Sequence, residues 1–562
     1  MHGKKRYSLI FLAGLFLFLP HYHIFAQNGK ILNSADTLLE WAYMGMISEG
    51  RNIPTTVQSI SIAEAEYYGI ATEKNQEGLF LRGKVSIQPF ILGWHGLDLT
   101  NRMSDSSLMN RLRLDDPILL GAVEFGSTSF YGIFQLDFIN DSVVKYADSS
   151  GFLAIWEPQE YLRWWTFPEV GYFSWSNKNA TVVAGRLKTG IGLGESNLFL
   201  NGQARWYDHV QFSWWTKYFR LFCLWGTSAS HLNEQEYYVQ TYSEQNGNSW
   251  GWDTESNHDA ATQSSVPFKM FTYHRIEFKP FSRVGFGAAE MQLVGGKIPD
   301  LFNFLPAIYW HNTYTPGVSN VMLLLDAWFI PVRNVLVYGE FLMDDTRAPS
   351  ESEDAKPNCW GWEIGTKVIL PIPAANWRFS INFEYNHVDE WTYNRWQPYL
   401  TMYQRQLITG GWDGFDIPLG HPEGGDVDQF MLKGIALSRD GKRIEAGYVL
   451  TIKGPVYLNK IVQGAAGDPD YIPVYYDYDS GKWTATKDYF DGKVRKYIHG
   501  VTVQAVWPFP HNLEANASVD VRYVINAEHI SGKKAVEVVY KMGCKWFYET
   551  KTLANRNTET QP

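Results

Sequence analysis

The sequence lacks several features that define common classes of protein. Its 562 residues include three cysteines, far apart and odd in number, so it has neither a disulfide framework nor a paired-cysteine metal site. Positive charge is not in excess, because the formal net charge is -10. Nucleic-acid binding requires a basic surface, and this balance therefore argues against it.

Long apolar runs are missing beyond the N-terminus. No run of roughly 18 apolar residues occurs there, so no transmembrane helix is expected. The N-terminus has Lys4-Lys5-Arg6, an apolar run over 9–19 and then Ala26, which is typical of a secretory signal peptide cleaved after Ala26. An exported chain that enters a membrane without helices must do so as a closed β-barrel.

Recognisable enzyme motifs are absent too. The sequence has no GxSxG, HExxH, CxxC or phosphate-binding loop. The glycine-rich stretch 190–194 follows a predicted hairpin rather than opening a βαβ helix, so a tightly folded loop explains it better than a dinucleotide site. His421, Asp426 and Asp428 could bind a cation, but a hydrogen-bonded loop explains them better. We expect no catalytic residue, no metal and no cofactor.

Aromatic residues, by contrast, are abundant. They make up 16% of the chain, with 23 Trp, 33 Tyr and 33 Phe, while the mean hydropathy is only -0.26. This combination fits a barrel wall that is apolar outside and polar inside, with aromatic girdles at both membrane interfaces. A soluble enzyme that acts on polysaccharides could share this composition.

Alternation of polar and apolar residues predicts many strands. Over 377–387, the apolar residues from Trp377 to Tyr385 occupy one face and residues such as Asn382 and Glu384 the other. The same pattern recurs over 513–523. The predicted strands number eighteen, an even number as bacterial barrels require: 78–92, 117–127, 128–140, 168–177, 180–189, 207–216, 218–230, 266–279, 283–293, 320–331, 333–344, 359–371, 376–389, 426–438, 441–453, 493–507, 511–526 and 534–548.

The lengths of the predicted connections favour a barrel over a soluble sandwich. Short turns alternate with long connections such as 231–265, 390–425 and 454–492. Outer-membrane barrels have short periplasmic turns and long external loops. The fold class is therefore all-β, a transmembrane antiparallel barrel, with both termini expected in the periplasm.

Four segments are predicted along the chain. They are a signal peptide (1–26), a periplasmic helical segment (27–77), the outer-membrane barrel (78–548) and a C-terminal tail (549–562). Helical spacing over 36–49 and a cap at Ser61 indicate two short helices in the second segment. That segment is interpreted either as a periplasmic plug or docking element, or as a pad that stabilises the barrel.

The long loops contain groups that suit sugars. Flat aromatic rings beside amides and carboxylates match a pyranose, which has an apolar face and a polar rim. An alternative is that the tryptophans belong to the interfacial belt. The candidate carbohydrate-binding residues are Trp250, Trp252, Trp412, Asp426 and Asp428.

Three stretches together resemble the capsule-assembly (Wzi-type) outer-membrane family. They are 184–208, which begins Ala-Gly-Arg-Leu-Lys-Thr-Gly, then 274–345, which begins His-Arg-Ile-Glu-Phe-Lys-Pro, and Glu384-Tyr385 together with 419–429. The resemblance extends over roughly 34–548. It implies an eighteen-stranded barrel with a small periplasmic helical bundle that holds capsular polysaccharide on the cell surface without catalysis.

The first functional hypothesis is therefore a non-catalytic outer-membrane protein that binds and helps to assemble or anchor capsular or surface polysaccharide. A porin-type diffusion channel is the alternative, because eighteen strands can enclose an aqueous lumen. A membrane-embedded hydrolase lacks any nucleophile constellation. The expected partners are the polysaccharide, outer-membrane lipid and lipopolysaccharide, and the barrel-assembly machinery.

Overall fold

A closed antiparallel β-barrel dominates the computed structural model, and the prediction of eighteen strands is confirmed. The structure describes residues 28–33, 36–70, 79–97, 117–138, 149–154, 170–202, 204, 206–232, 266–296, 298–305, 310, 319–346, 358–374, 376–394, 398–408, 413–455, 476–477, 482–483 and 494–550. The helices are α1 (Thr37–Glu49), α2 (Ile62–Tyr67) and the 3₁₀ turns Leu301–Phe304, Pro398–Leu400 and Ala527–His529. The strands are β1 (Ile31–Asn33), β2 (Ser59–Ser61), β3 (Phe80–Ile87), β4 (Phe90–His95), β5 (Leu119–Gly126), β6 (Phe130–Phe138), β7 (Gly151–Ala154), β8 (Gly171–Ser176), β9 (Ala180–Leu187), β10 (Tyr207–Trp215), β11 (Phe219–Thr227), β12 (Lys269–Phe281), β13 (Val284–Gly295), β14 (Ser319–Val332), β15 (Val335–Asp345), β16 (Cys359–Leu370), β17 (Trp377–Val388), β18 (Tyr403–Ile408), β19 (Asp413–Pro418), β20 (Val427–Ser438), β21 (Arg443–Lys453), β22 (Tyr476–Asp477), β23 (Lys482–Trp483), β24 (Lys496–Phe509), β25 (Leu513–Ile525) and β26 (Lys534–Glu549).

The barrel closes where its last strand meets its first. β26 pairs with β3 at Trp546 and Ile87, and with β4 at Val538 and His95. The first predicted strand is broken at Pro89, which has no backbone N–H to donate to a ladder. β3 and β4 therefore act as one wall strand, and β5 and the short β7, which lie beside its first and second parts, share the next position. The twenty strand segments of the barrel thus occupy eighteen positions in the wall.

The two faces of the wall differ in polarity as the alternation predicts. On β17, Ile381 and Phe383 are exposed on the outside, whereas Asn382 and Glu384 are buried inside. The apolar outer face suits lipid, and the polar face lines the lumen. Outward tryptophans lie near both ends of the wall, as in aromatic girdles: Trp360 and Trp362 near the long loops, and Trp507 and Trp546 near the short turns.

The structure adds elements that alternation alone did not predict. Residues 390–425 were expected to form a loop, but they contain the β18–β19 hairpin. This hairpin packs Tyr403 and Ile417 into a hydrophobic core within the barrel. Its stability depends on these tertiary contacts rather than on a long local pattern. β1 and β2 precede and follow α1 in the chain and form a two-stranded sheet, which was also not predicted.

Within the described ranges, no helix combines the length and apolar character needed to cross a bilayer. The predicted signal peptide (1–26) lies outside the described residues, as does the predicted tail beyond Thr550.

A charge placed on the outer face is expected to destabilise the barrel. Phe383→Lys should lower the free energy of unfolding by about 2–4 kcal/mol, the typical effect of a lysine on the lipid face near the middle of the bilayer. Urea unfolding in phospholipid vesicles, followed by tryptophan fluorescence, measures this difference. Ser518→Lys, on the lumen face of β25, is the matched control and should have a much smaller effect; equal losses would contradict the assignment of the faces.

Candidate functional site

The N-terminal segment lies inside the barrel at the end that carries the short turns. Ile47 on α1 accepts a hydrogen bond from the backbone of Asn334 (3.0 Å), which lies in the β14–β15 turn. The backbone of Asn52 donates to Ser282 (2.9 Å) in the β12–β13 turn. Met44 and Ile47 pack with Ile53 into a hydrophobic cluster formed by lumen residues of β14, β15, β16 and β20. The segment therefore covers this end of the lumen.

A buried ion pair attaches α2 to the wall. The guanidinium of Arg220 on β11 donates to both carboxylate oxygens of Glu64, at 2.6 and 3.1 Å. Both side chains are almost completely buried. Ser61 caps α2 by accepting a hydrogen bond from the backbone of Glu64, as the sequence predicts. Because each charge is removed from water, the pair holds the helix in one position.

A second network connects the extended segment after α1 to the wall. Arg275 on β12 donates to both oxygens of Asp326, at 2.7 and 2.8 Å, and to Glu277 at 3.0 Å. Arg275 also donates to the hydroxyl of Thr56 (2.7 Å), and Thr55 donates to Glu277 (2.8 Å). The polar face of β12 is therefore matched by hydroxyl groups from the N-terminal segment.

The glycine-rich loop after β9 folds into the lumen and contacts the N-terminal segment there. The backbone of Gln58 donates to Gly190 (2.9 Å), and that of Gly192 donates to Thr56 (3.0 Å). The hydroxyl groups of Ser59 and Thr189 are 2.6 Å apart. Two separate parts of the chain thus form one insert across the barrel. We call residues 188–202 the inward loop.

The glycines of the inward loop allow it to approach carboxylates on the wall. A β-carbon at Gly192 would be 2.6 Å from an oxygen of Glu340, and one at Gly194 would collide with Glu363. Glu384 accepts hydrogen bonds from the backbones of Glu195 (2.8 Å) and Ser196 (3.2 Å). The sequence pattern at 190–194 thus belongs to a tightly packed loop, not to a helix that binds a nucleotide.

A hydrophobic core fills the lumen on the side of the long loops. Leu198 and Phe199 from the inward loop meet Tyr403 and Leu419 from the segment that contains the β18–β19 hairpin. Tyr393 donates from its hydroxyl to the carbonyl of Leu198 (2.6 Å). This half of the lumen is packed like the interior of a soluble protein rather than lined with water.

A cavity of about 280 Å³ remains beside these inserts. The inward loop contributes Glu195 and Ser196, and the wall contributes residues of β20, β21, β24, β25 and β26. Thr502 and Asp520 on the opposite side are half-buried, so solvent reaches the cavity. Its walls carry hydroxyl, amide and charged groups together with an apolar strip.

The structure connects the two predicted aspartates through an arginine. Asp428 accepts hydrogen bonds from Tyr385 (2.9 Å), His387 (2.8 Å) and Arg495 (3.2 Å). Its neighbours Val427 and Gln429 face inward, so Asp428 lies on the outer face near the long loops. Asp426 is buried, with an oxygen 3.5 Å from the Arg495 guanidinium.

The other candidate residues have different surroundings. Trp250, Trp252 and Trp412 lie outside the described residues. His421 is buried in the loop before β20, where burial and the positive charge of Lys453 lower its pKa to about 3. Within the described ranges, no three or more His, Cys, Asp or Glu side chains are arranged to hold a metal.

Sequence reasoning identified the polar faces of the strands but missed their partners. Alternation in the predicted strand 266–279 places Arg275, Glu277 and Lys279 on one polar face, but it does not assign the groups that they contact. The run Thr55-Thr56 together with Ser59 and Ser61 was a signal, because hydroxyl groups can both donate and accept hydrogen bonds with the polar side chains of a lumen.

Comparison with known proteins gives one informative match, to a solved outer-membrane barrel. Wzi of Escherichia coli, described as a carbohydrate-binding β-barrel involved in group 1 capsule assembly, is 12% identical. The alignment covers 92% of this chain and 99% of Wzi, with a TM-score of 0.50. The two chains share one fold. The resemblance predicted from the sequence motifs is thus confirmed at the level of architecture, which is that of an outer-membrane β-barrel.

Other solved barrels match less well. OprD of Pseudomonas aeruginosa is 8% identical over 84% of this chain and 94% of its own, with a TM-score of 0.38. OccAB4 of Acinetobacter baumannii is 7% identical over 85% of this chain and 100% of its own, with a TM-score of 0.37. No protein-family model and no curated protein matches the chain.

Removing the cation of the buried Glu64–Arg220 pair is expected to loosen the N-terminal segment. Arg220→Met would leave the carboxylate of Glu64 buried without its partner, which typically costs about 3–5 kcal/mol. Chymotrypsin should then cleave after aromatic residues within 36–70, such as Trp41 and Tyr67, much faster in the folded, detergent-solubilised protein. Arg51→Met removes an exposed pair with Glu49 and is the control; identical cleavage of both variants would contradict the role of Arg220.

Proposed function

We propose that this chain is a non-catalytic protein of the outer membrane that binds capsular or other surface polysaccharide and helps to assemble or anchor it. The packed lumen is the observation that carries the proposal. A diffusion channel needs a continuous aqueous path, whereas the N-terminal segment occupies one end of this barrel and an apolar core much of the other. A rigid, filled barrel is suited to presenting loops at a surface.

The fold shared with Wzi and the composition of the long loops support the same proposal. Wzi is described as a carbohydrate-binding barrel. The long connections of this chain are rich in Trp, Tyr, Asn and Asp. Aromatic rings bind the apolar faces of sugars, while amides and carboxylates bind their hydroxyl groups.

The alternative is a diffusion channel, and the cavity beside β20 to β25 is the observation that favours it. Contacts of the N-terminal segment extend to β20 and β21, as in the ion pair between Glu40 and Arg443. Half-buried polar side chains line β24 and β25 beyond it, including Gln504 and Ser518. A path along this side would conduct ions without displacing the inserts.

Measurements of ion conductance distinguish a closed polysaccharide-binding barrel from a diffusion channel. In planar bilayers the wild-type barrel should show no large, steady conductance, because its inserts fill most of the lumen. Arg220→Met should conduct more often than wild type if loosening the N-terminal segment opens the barrel, and Arg51→Met should remain silent. A large steady conductance in the wild type would overturn the closed-barrel proposal in favour of a channel.

The loop tryptophans provide the test of binding. Replacing Trp250, Trp252 and Trp412 with Ala should weaken binding of extracted surface polysaccharide at least about tenfold, the factor that corresponds to about 1.4 kcal/mol. Retention of polysaccharide on cells should fall in parallel. Trp362→Ala, on the outer aromatic girdle, serves as the control. Unchanged binding by the triple variant would place its tryptophans in the girdle instead.

A further inference from the structure

We propose that the cavity between the inward loop and strands β20 to β25 binds an uncharged saccharide unit. This inference rests on the proposed function and adds a location and a chemical class to it. The cavity volume of about 280 Å³ is close to the lower end of the usual range for small-molecule sites, roughly 300 Å³. A ligand of this size is a sugar unit or a short oligosaccharide end, not a folded polymer.

The charges around the cavity favour an uncharged ligand. Among the described residues, four carboxylates line it against two cations. Lys433 lies between Glu195 (3.1 Å) and Glu445 (2.9 Å), so its charge is already balanced by the protein. A uronic acid would add a negative charge to the excess of carboxylates, which would repel it. The carboxylates themselves can accept hydrogen bonds from sugar hydroxyl groups.

The polar groups of β24 and β25 are held in place before any ligand arrives. Asp520 accepts a hydrogen bond from the hydroxyl of Thr502 (2.9 Å) and lies 3.3 Å from the guanidinium of Arg522. Across the cavity, Gln429 donates to Thr451 (3.0 Å) and accepts from Ser196 (2.6 Å). Side chains fixed by their neighbours lose little entropy when a ligand binds, which favours affinity for a specific shape.

An apolar strip completes the complementarity to a pyranose. Met431, Val449, Ile498 and Val539 line the cavity beside the polar groups. One side of a pyranose ring presents C–H groups while its rim carries hydroxyl groups, so a site needs both kinds of surface. A simple ion path needs no such strip.

Two glycines keep the cavity open. Gly447 and Gly500 line it, and the nearest neighbouring atom to a β-carbon added at either position would be 3.7 Å away. Each position therefore accepts a side chain without a backbone clash. Leucine at either site would occupy the cavity itself. Gly434 has comparable space, with its nearest neighbour 3.9 Å away, but it lies on the opposite face of β20 from Lys433.

Calorimetry on the purified full-length protein in detergent tests the inference. The probes are maltotriose and N,N′,N″-triacetylchitotriose, which are uncharged, and trigalacturonate, which is acidic and of the same length. At least one uncharged probe should bind the wild type more tightly than trigalacturonate. Gly500→Leu and Gly447→Leu should each weaken that binding at least about tenfold, and Gly434→Leu should leave it unchanged.

Three results would overturn the inference: tighter binding of trigalacturonate, unchanged binding in both cavity variants, or no binding of any probe by the wild type. Heat-induced mobility shift on gels reports whether each variant is folded. Because Gly447 and Gly500 lie on different strands, the test still works if one of the two variants does not fold. The proposed function is judged separately, by binding of the intact surface polysaccharide. If the polymer binds and the cavity variants retain it fully, the inference fails while the proposed function stands.

Discussion

Every backbone N–H and C=O group of a chain within lipid must find a partner inside the protein, because the hydrocarbon offers none. Closure of β26 on β3 and β4 meets this requirement for the whole wall. The same closure encloses a lumen wide enough that side chains of the wall alone do not fill it. The remaining structure follows from how this chain occupies that space.

The lumen is filled in two ways that differ in physical character. At the end with the short turns, buried charges such as Arg275 and Arg220 are matched by groups of the N-terminal segment. Toward the long loops, apolar side chains of the inward loop and the β18–β19 segment pack together. Ion pairs define position because an unpaired buried charge is costly, and apolar packing excludes water. The cavity lies beside β24 and β25, beyond the contacts that the inward loop makes with Lys433 and Gln429 on β20.

Much of the fold could be predicted from the sequence, since a strand with lipid on one side and a polar lumen on the other must alternate. On β17, the residues from Trp377 to Tyr385 show this without reference to any other part of the chain. The break at Pro89 was not predicted, although the proline itself is its local cause. The β18–β19 hairpin was not predicted because it depends on neighbours distant in sequence. Of the candidate site, Asp426 and Asp428 are shown to share Arg495, a contact that spans 67 residues from Asp428.

By itself, the sequence determined the strands, their number, the faces they present and the alternation of short and long connections, because all of these follow from local periodicity and turn chemistry. Only the tertiary structure decided that the glycine-rich loop turns inward, that Thr55 and Thr56 satisfy the charges of β12, and that a polar cavity remains beside β24 and β25. Those features arise from pairing between segments far apart in the chain, and hydrophobic periodicity does not predict which partner each buried charge contacts.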